Sequence, residues 1–137
     1  MTRIQVTYAG NLRTEATHEE SGAVIQTDAP KDNQGNGESF SPTDLLAASL
    51  GTCVLTLMGI AARKLKVDLA GLRATVDKEM RQSPSRRVGR IVVHVYSPQQ
   101  FDIETRAKIE QAGIGCPVHE SLHPDVQQEI IFHWGVS

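Results

Sequence analysis

Two cysteines are the residues whose type and position favour redox chemistry. Cys53 lies inside a long apolar run, and Cys116 follows a Gly-Ile-Gly sequence and precedes Pro117. Burial in an apolar helix raises the pKa of a thiol and makes it unreactive, whereas the free backbone N–H groups at a helix start stabilise a thiolate. These local effects predict that Cys116 ionises more easily than Cys53. They leave open that Cys53 is an ordinary buried side chain and that Cys116 fills a tight turn.

A reactive Cys53 requires a cation from elsewhere in the fold. It lies about three turns inside its helix, and the helix dipole fades within the first turn. Arg13, on a predicted strand, and Lys31, in a predicted loop, are the candidates. The two differ chemically, because Arg forms a planar bidentate pair with a carboxylate and Lys is a point charge.

Residues 119–123, HESLH, match the H-E-x-x-H pattern in which two histidines on one helical face bind zinc. With Cys116 they also form a Cys-x2-His-x3-His series. Two observations argue against a metal site. His123 directly precedes Pro124, which disfavours helical geometry, and no third ligand of the metallopeptidase kind follows. We therefore predict no metal and keep zinc as an alternative. The other histidines, at 18, 94 and 133, lie in predicted strands.

One long helix, predicted from Ser41 to Lys66, must position Cys53. Ser41 can cap it, Pro42 suits its first position, and Asp44 places a carboxylate in the first turn. No charged residue occurs from 45 to 62, and apolar residues occupy nearly every side. A helix of this kind is buried. The sequence therefore predicts a long central core helix.

The apolar surface of this helix could be covered by a membrane, by the rest of the chain, or by a second copy of the chain. The uncharged run reaches the lower limit of a membrane span, about 17 residues, but its Ser, Thr and Gly residues and its capped start are typical of a soluble helix. A core helix is therefore expected. One sheet covers only one side of it, so we expect a second copy of the chain on the other side, in a homodimer.

The remaining pattern predicts an α+β fold with a mainly antiparallel sheet. Alternating apolar residues and turn signals place a meander of three strands before a polar loop at 28–40. Two strands, two short helices and one strand follow the long helix. The predicted ranges are 4–8, 12–18 and 23–27 for the first strands, 72–80 and 91–96 for the next two, 102–112 and 116–122 for the helices, and 126–134 for the last strand.

Composition limits the classes of function. The 137 residues suit one domain over 1–137, and the formal net charge of −2 argues against nucleic acid or an anionic membrane as the main partner. The start of the chain has no apolar run of signal-peptide length, so a cytoplasmic protein is expected. Cysteines in that compartment are more often reactive thiols, or simply buried side chains, than partners in a structural disulfide.

Two motifs resemble those of the family of osmotically inducible protein C and organic hydroperoxide resistance proteins. They are SPTDLLAASLGTC at 41–53 and GCPVH at 115–119. The resemblance implies an intertwined homodimer with the cysteine-bearing helices at its centre, and a two-cysteine thiol peroxidase without a cofactor. Cys53 would be oxidised by an organic hydroperoxide or peroxide to a sulfenic acid. Cys116 would resolve it as a disulfide, which an external dithiol reduces.

One position departs from the family pattern. Family peroxidases hold an Arg–Glu pair against the peroxidatic thiol, and the Glu position is Thr43 here. Asp44 is one place further on, shorter, and about 100° round the helix. Arg13 and Asp44 are therefore the candidates for that pair. The departure also favours an alternative, a non-peroxidase member that binds an apolar small molecule at the dimer interface.

Overall fold

The computed structural model describes residues 1–137, which form two compact units, 1–46 and 47–137. The boundary falls within the long helix. In chain order the elements are β1 (Ile4–Gly10), β2 (Arg13–His18), β3 (Val24–Asp28), a 3-10 turn (Lys31–Asn33), α1 (Pro42–Leu65), β4 (Arg73–Arg81), β5 (Arg87–Ser97), α2 (Ile103–Ile114), α3 (Pro117–Ser121) and β6 (Gln127–Trp134).

The first unit is an antiparallel meander in the order β1-β2-β3. The register pairs Arg13 at the start of β2 with Asp28 at the end of β3. The following loop folds back on the end of β3. At Gly35 a Cβ atom would lie 1.7 Å from the carbonyl oxygen of Ala29, so only glycine fits there. The sequence therefore predicted this meander and loop correctly, but not the close packing inside the loop.

Helix α1 begins with a reciprocal capping box. The Asp44 N–H donates to Ser41 Oγ at 3.1 Å, and the Ser41 N–H donates to Asp44 Oδ2 at 2.9 Å. Pro42 occupies the first helical position, where its missing N–H has no intrahelical partner to lose. The predicted helix start is confirmed.

Within the single chain, α1 is buried along one side and not all round. The buried side is formed by Ala47, Leu50, Gly51, Val54, Met58 and Ala62. On other sides Leu46 is 40% exposed and Ile60 45% exposed. The helix is long and apolar enough to cross a membrane by length and composition, with 33% of its most apolar window buried. A core helix of a soluble protein passes the same test, so this finding is weak evidence for a span.

The second unit contains a mixed sheet in the order β4-β5-β6. Strands β4 and β5 are antiparallel, whereas β5 and β6 are parallel. Three of the four strand pairings in the molecule are therefore antiparallel, and the α+β prediction is confirmed. The structure differs from the predicted single sheet by having two. The parallel pairing is possible because α2 and α3 form the long connection that a parallel crossover needs.

The core of the second unit lies between α1, α2 and one face of this sheet. It contains Leu50, Val54, Met58, Ile91, Val93, Val95, Ile109 and Cys116. Two glycines allow close approach. A Cβ atom at Gly51 would lie 2.5 Å from Val76 Cγ2 on β4, and one at Gly113 on α2 would lie 3.0 Å from Met58 Cγ. Gly51 and Gly113 therefore bring α1 close to β4 and α2, next to both cysteines in the chain.

Candidate active site

The two cysteines are brought together in the second unit. Cys53 is half-buried on α1 and packs against the core cluster that contains Cys116. Cys116 is fully buried, and its thiol lies close enough to that of Cys53 for the two groups to interact. Both thiols are free. Residues 63 positions apart in the chain thus form one pair of thiols, one of them partly accessible and the other enclosed.

The backbone places Cys116 at the start of α3. It is the N-cap residue in extended conformation, with φ −73° and ψ 148°, and Pro117 follows as the first helical residue. The His119 N–H donates to Cys116 Sγ at 3.3 Å. This is the position of a capping oxygen in a Ser or Asp cap, here taken by sulfur. The predicted helix start at Cys116 is confirmed.

The prediction that the helix start makes Cys116 ionise easily is wrong. Burial raises the pKa of its thiol above the ordinary value, and the neighbouring Cys53 thiol raises it further, while the His119 N–H lowers it. Burial is the largest of these effects. A helix of five residues offers little dipole, so desolvation outweighs the favourable cap. Cys116 is therefore held as a neutral thiol near neutral pH.

Arg13, the candidate cation, lies in the first unit with two carboxylates. Its guanidinium forms an ion pair with Glu38 and lies 3.8 Å from Asp28 Oδ2. Asp28 is 1% exposed, and the same oxygen accepts the Glu38 N–H at 3.0 Å. Arg13 Nε and Asp28 Oδ1 are buried without a hydrogen-bond partner. These side chains line a polar cavity of about 240 Å³, together with Ala9, Thr14, Glu15, Gln26, Thr27 and Ser39.

Glu38 and Asp28 were missed by the sequence reasoning. Glu38 lies in the loop, 25 positions from Arg13, and nothing in its neighbours marks it. The strand pattern contained one usable signal, since the β2–β3 hairpin register places Asp28 opposite Arg13. Lys31, the other candidate cation, forms part of the 3-10 turn in the same loop.

Asp44, the last predicted site residue, is engaged in capping α1. Its carboxylate accepts the Ser41 N–H, and Ser41 Oγ also lies 3.2 Å from Thr43 Oγ1. These contacts show that Asp44 caps the start of α1. A catalytic role for Asp44 stays a prediction.

The histidines of the HESLH segment have other partners. His119 Nδ1 lies 2.6 Å from Gln128 Oε1, and His123 Nδ1 accepts the Asp125 N–H at 3.0 Å. Helix α3 ends at Ser121, so His123 lies beyond it. No group of three His, Cys, Asp or Glu side chains is placed to hold a metal ion.

Comparison with known proteins assigns the chain to a family. The family model of the OsmC-like proteins matches residues 35–130, which include α1 and both cysteines. The chain belongs to the OsmC-like protein family. Members of this family are soluble, and the predicted family resemblance is confirmed. No curated protein matches the chain.

Solved structures support the same fold for this OsmC-like chain. A Psychrobacter arcticus 273-4 protein, provisionally named an osmotic stress induced and detoxification response protein, is 48% identical, with a TM-score of 0.91 over 97% of this chain and 96% of that one. An organic hydroperoxide resistance protein OsmC from Legionella pneumophila is 16% identical, with a TM-score of 0.77 over 96% of each chain. An organic hydroperoxide resistance protein from Elizabethkingia anophelis is 17% identical, with a TM-score of 0.75 over 96% of each chain. The last two show likeness of fold alone.

Proposed function

We propose that this OsmC-like protein is a thiol peroxidase that reduces organic hydroperoxides or peroxide through Cys53 and Cys116. The observation that carries the proposal is the contact between a half-buried thiol on α1 and a fully buried thiol at the start of α3. The names of the Legionella and Elizabethkingia proteins, organic hydroperoxide resistance proteins, agree with this reaction class.

The different solvent accessibility of the two thiols assigns a different step of the reaction to each in this proposal. Cys53 is the thiol that solvent reaches, so it meets the peroxide. Its thiolate attacks one peroxide oxygen, the O–O bond breaks, and the alcohol leaves after taking up a proton. Cys53 is then a sulfenic acid. The Cys116 thiol releases its proton and attacks this sulfur as the thiolate. The S–S bond forms, the S–O bond breaks, and the departing hydroxide takes up that proton to give water. An external dithiol reduces the disulfide by thiol exchange.

Arg13 and Glu38 supply the Arg–carboxylate pair in this proposal. The family Glu position is Thr43, which has no charge, whereas Glu38 pairs with Arg13. Replacing Arg13 with Ala should slow loss of the Cys53 thiol by more than tenfold, since a missing charge-assisted bond costs about 1.5–3 kcal/mol. Glu38→Gln should give a smaller loss, because the amide still accepts a hydrogen bond. Equal rates for wild type and Arg13→Ala would remove Arg13 from the site.

The decisive experiment mixes reduced protein with cumene hydroperoxide and follows the free thiols. The wild type should lose both thiols and form an intramolecular disulfide. Cys116→Ser should lose one thiol and yield a sulfenic acid that dimedone traps, and Cys53→Ser should consume no peroxide. Full peroxide turnover by Cys53→Ser would refute the proposal.

A homodimer is the second part of the proposal. The exposed apolar residues of α1 and the outward face of β1 support it, since Ile4, Val6 and Tyr8 are 57%, 65% and 66% exposed. Apolar patches of this kind mark interfaces. Ile60→Lys should shift the protein towards monomer in sedimentation velocity. Ile103→Lys is the matched control, because Ile103 is 79% exposed on another helix and should leave the mass unchanged.

The alternative function is binding of an apolar small molecule at the dimer interface without peroxide chemistry. The uncharged Thr43 and the exposed apolar side of α1 favour it. A wild-type protein that consumes no peroxide but gains thermal stability with a long-chain aliphatic alcohol would support this alternative. In either case we propose a cytoplasmic protein, because free thiols and dithiol reductants persist there.

A further inference from the structure

Helix α3 is the element whose position sets the direction of the Cys116 thiol. It has five residues, too few to be stable by its own hydrogen bonds. Its orientation therefore depends on contacts with the rest of the unit. Two backbone N–H groups of α3 reach Cys116 Sγ, that of His119, at 3.3 Å, and that of Val118, and the His119 N–H has the larger effect on the thiol. Whatever fixes His119 also fixes the environment of this sulfur.

Gln128 on β6 holds His119 at two points. Its Nε2 donates to the His119 carbonyl oxygen at 3.2 Å, and its Oε1 lies 2.6 Å from His119 Nδ1. The first bond fixes the orientation of the amide, because only the NH2 group can donate to a carbonyl. Oε1 must then accept, so Nδ1 carries the proton and the imidazole is held in one tautomer. Backbone and side chain of His119 are thus both tied to the sheet.

We propose that Gln128 is a positioning residue for the Cys116 thiol, acting through His119. The inference rests on the proposed peroxidase function, in which Cys116 attacks the sulfenic acid on Cys53. In that step Cys116 loses its proton, the S–S bond forms, and the departing hydroxide takes up a proton to give water. The His119 N–H stabilises the Cys116 thiolate that this attack requires, and Gln128 keeps that N–H directed at the sulfur.

The side chain of Gln128 is suited to this role and that of its neighbour is not. Gln128 is half-buried beneath α3, whereas Gln127 is exposed and donates to Glu129 Oε1 at 3.1 Å. Gln127 forms no hydrogen bond with α3 and has no role in the proposed reaction. Gln127→Leu is therefore a matched control for Gln128→Leu, with the same chemical change one residue away.

The first test needs no peroxide, so it is independent of the proposed function. In the Cys53→Ser protein, the Cβ chemical shift of isotope-labelled Cys116 is followed against pH, which reports ionisation of a buried thiol without reagent access. Gln128→Leu should move the Cys116 midpoint upward by about half to one pH unit, a three- to tenfold loss of thiolate. Gln127→Leu should not move it. An unchanged midpoint in a folded Gln128→Leu protein would overturn the inference.

A graded variant separates positioning from proton transfer by the imidazole. His119→Ala keeps the backbone N–H and the carbonyl bond to Gln128 and loses only the Nδ1 bond. Its midpoint should therefore shift less than that of Gln128→Leu. A larger shift in His119→Ala would show that the imidazole itself acts on the thiol and would overturn the role assigned to Gln128.

The second test uses peroxide and distinguishes the two proposals. With cumene hydroperoxide, Gln128→Leu should lose the Cys53 thiol as fast as wild type but form the disulfide about three- to tenfold more slowly. Dimedone should trap more sulfenic acid in this variant. Equal rates of disulfide formation in wild type and Gln128→Leu would refute the positioning role. A wild type that loses no thiol would refute the proposed function. The pH titration would then still test whether Gln128 acts on the Cys116 thiol through His119.

Discussion

Gly51 lies where α1 is closest to β4, and Gly51→Ala tests how tightly the helix carrying Cys53 is packed. A Cβ atom at this position would lie 2.5 Å from Val76 Cγ2. Real Cβ atoms do not approach so closely, and the Val76 side chain is stiff because it is branched at Cβ. Overpacking a core costs about 1–3 kcal/mol. Against this, Gly→Ala inside a helix gains about 1 kcal/mol.

The expected net effect of Gly51→Ala is a loss of about 1 kcal/mol in the free energy of unfolding, or about 3–5 °C in Tm for a chain of this size. Urea unfolding of the reduced protein at fixed concentration measures it, with fluorescence of the single tryptophan, Trp134, as the signal. Trp134 packs on the core of the same unit, so it reports this transition.

The Val76→Ala background provides the control. Removing the Cγ atoms of Val76 leaves only the helix-propensity gain, so Gly51→Ala should then stabilise by about 0.5–1 kcal/mol. The reasoning thus predicts a change of sign between the two backgrounds. If Gly51→Ala has the same sign in both, or stabilises the wild type, the close contact does not exist in solution.

Three further predictions concern capping and pH. Ser41→Ala should lower the free energy of unfolding by about 1 kcal/mol, because Ser41 Oγ accepts the Asp44 N–H; unchanged urea unfolding would contradict the cap. The pKa of Cys116 is raised above 9.0, so the neutral thiol is favoured in the folded state. Stability should fall as pH rises above about 9, and Cys116→Ser should reduce this slope. Hydrogen bonds from the Thr105 side chain and then from the Thr105 N–H lower the pKa of Asp102 below its ordinary value, so stability should be lost as pH falls below about 4, and less so in Asp102→Asn.

In the proposed peroxidase, the Arg13 cluster contains a carboxylate that is not on α1, that of Glu38. Glu38 contributes both its carboxylate, to Arg13, and its backbone N–H, to Asp28. The loop is held by its own contacts, including the Gly37 N–H to the Ala29 carbonyl at 3.2 Å. These contacts anchor the loop, so our proposal that the Glu38 carboxylate pairs with Arg13 in the active site needs no carboxylate at Thr43. The Arg13→Ala and Glu38→Gln rates described above test this substitution.

The sequence by itself determined the features that depend on neighbours within one turn or one strand. The Ser41 cap, the Pro42 start, the Cys116 helix start and the strands of both sheets were all predicted from local pattern. Capping needs only the residues at a helix end, and strand alternation needs only the next few side chains. The family also followed from sequence, because its two motifs are local.

Only the tertiary structure decided which thiol is buried, which carboxylates meet Arg13, and how β5 pairs with β6. Desolvation of Cys116 depends on core residues contributed by α1, α2 and β5, which no local window contains. The Arg13–Glu38 pair joins residues 25 positions apart, and Gln128 reaches His119 across a loop. Burial and ion pairing depend on which residues are neighbours in space, and the fold alone brings residues that are far apart in the sequence close together.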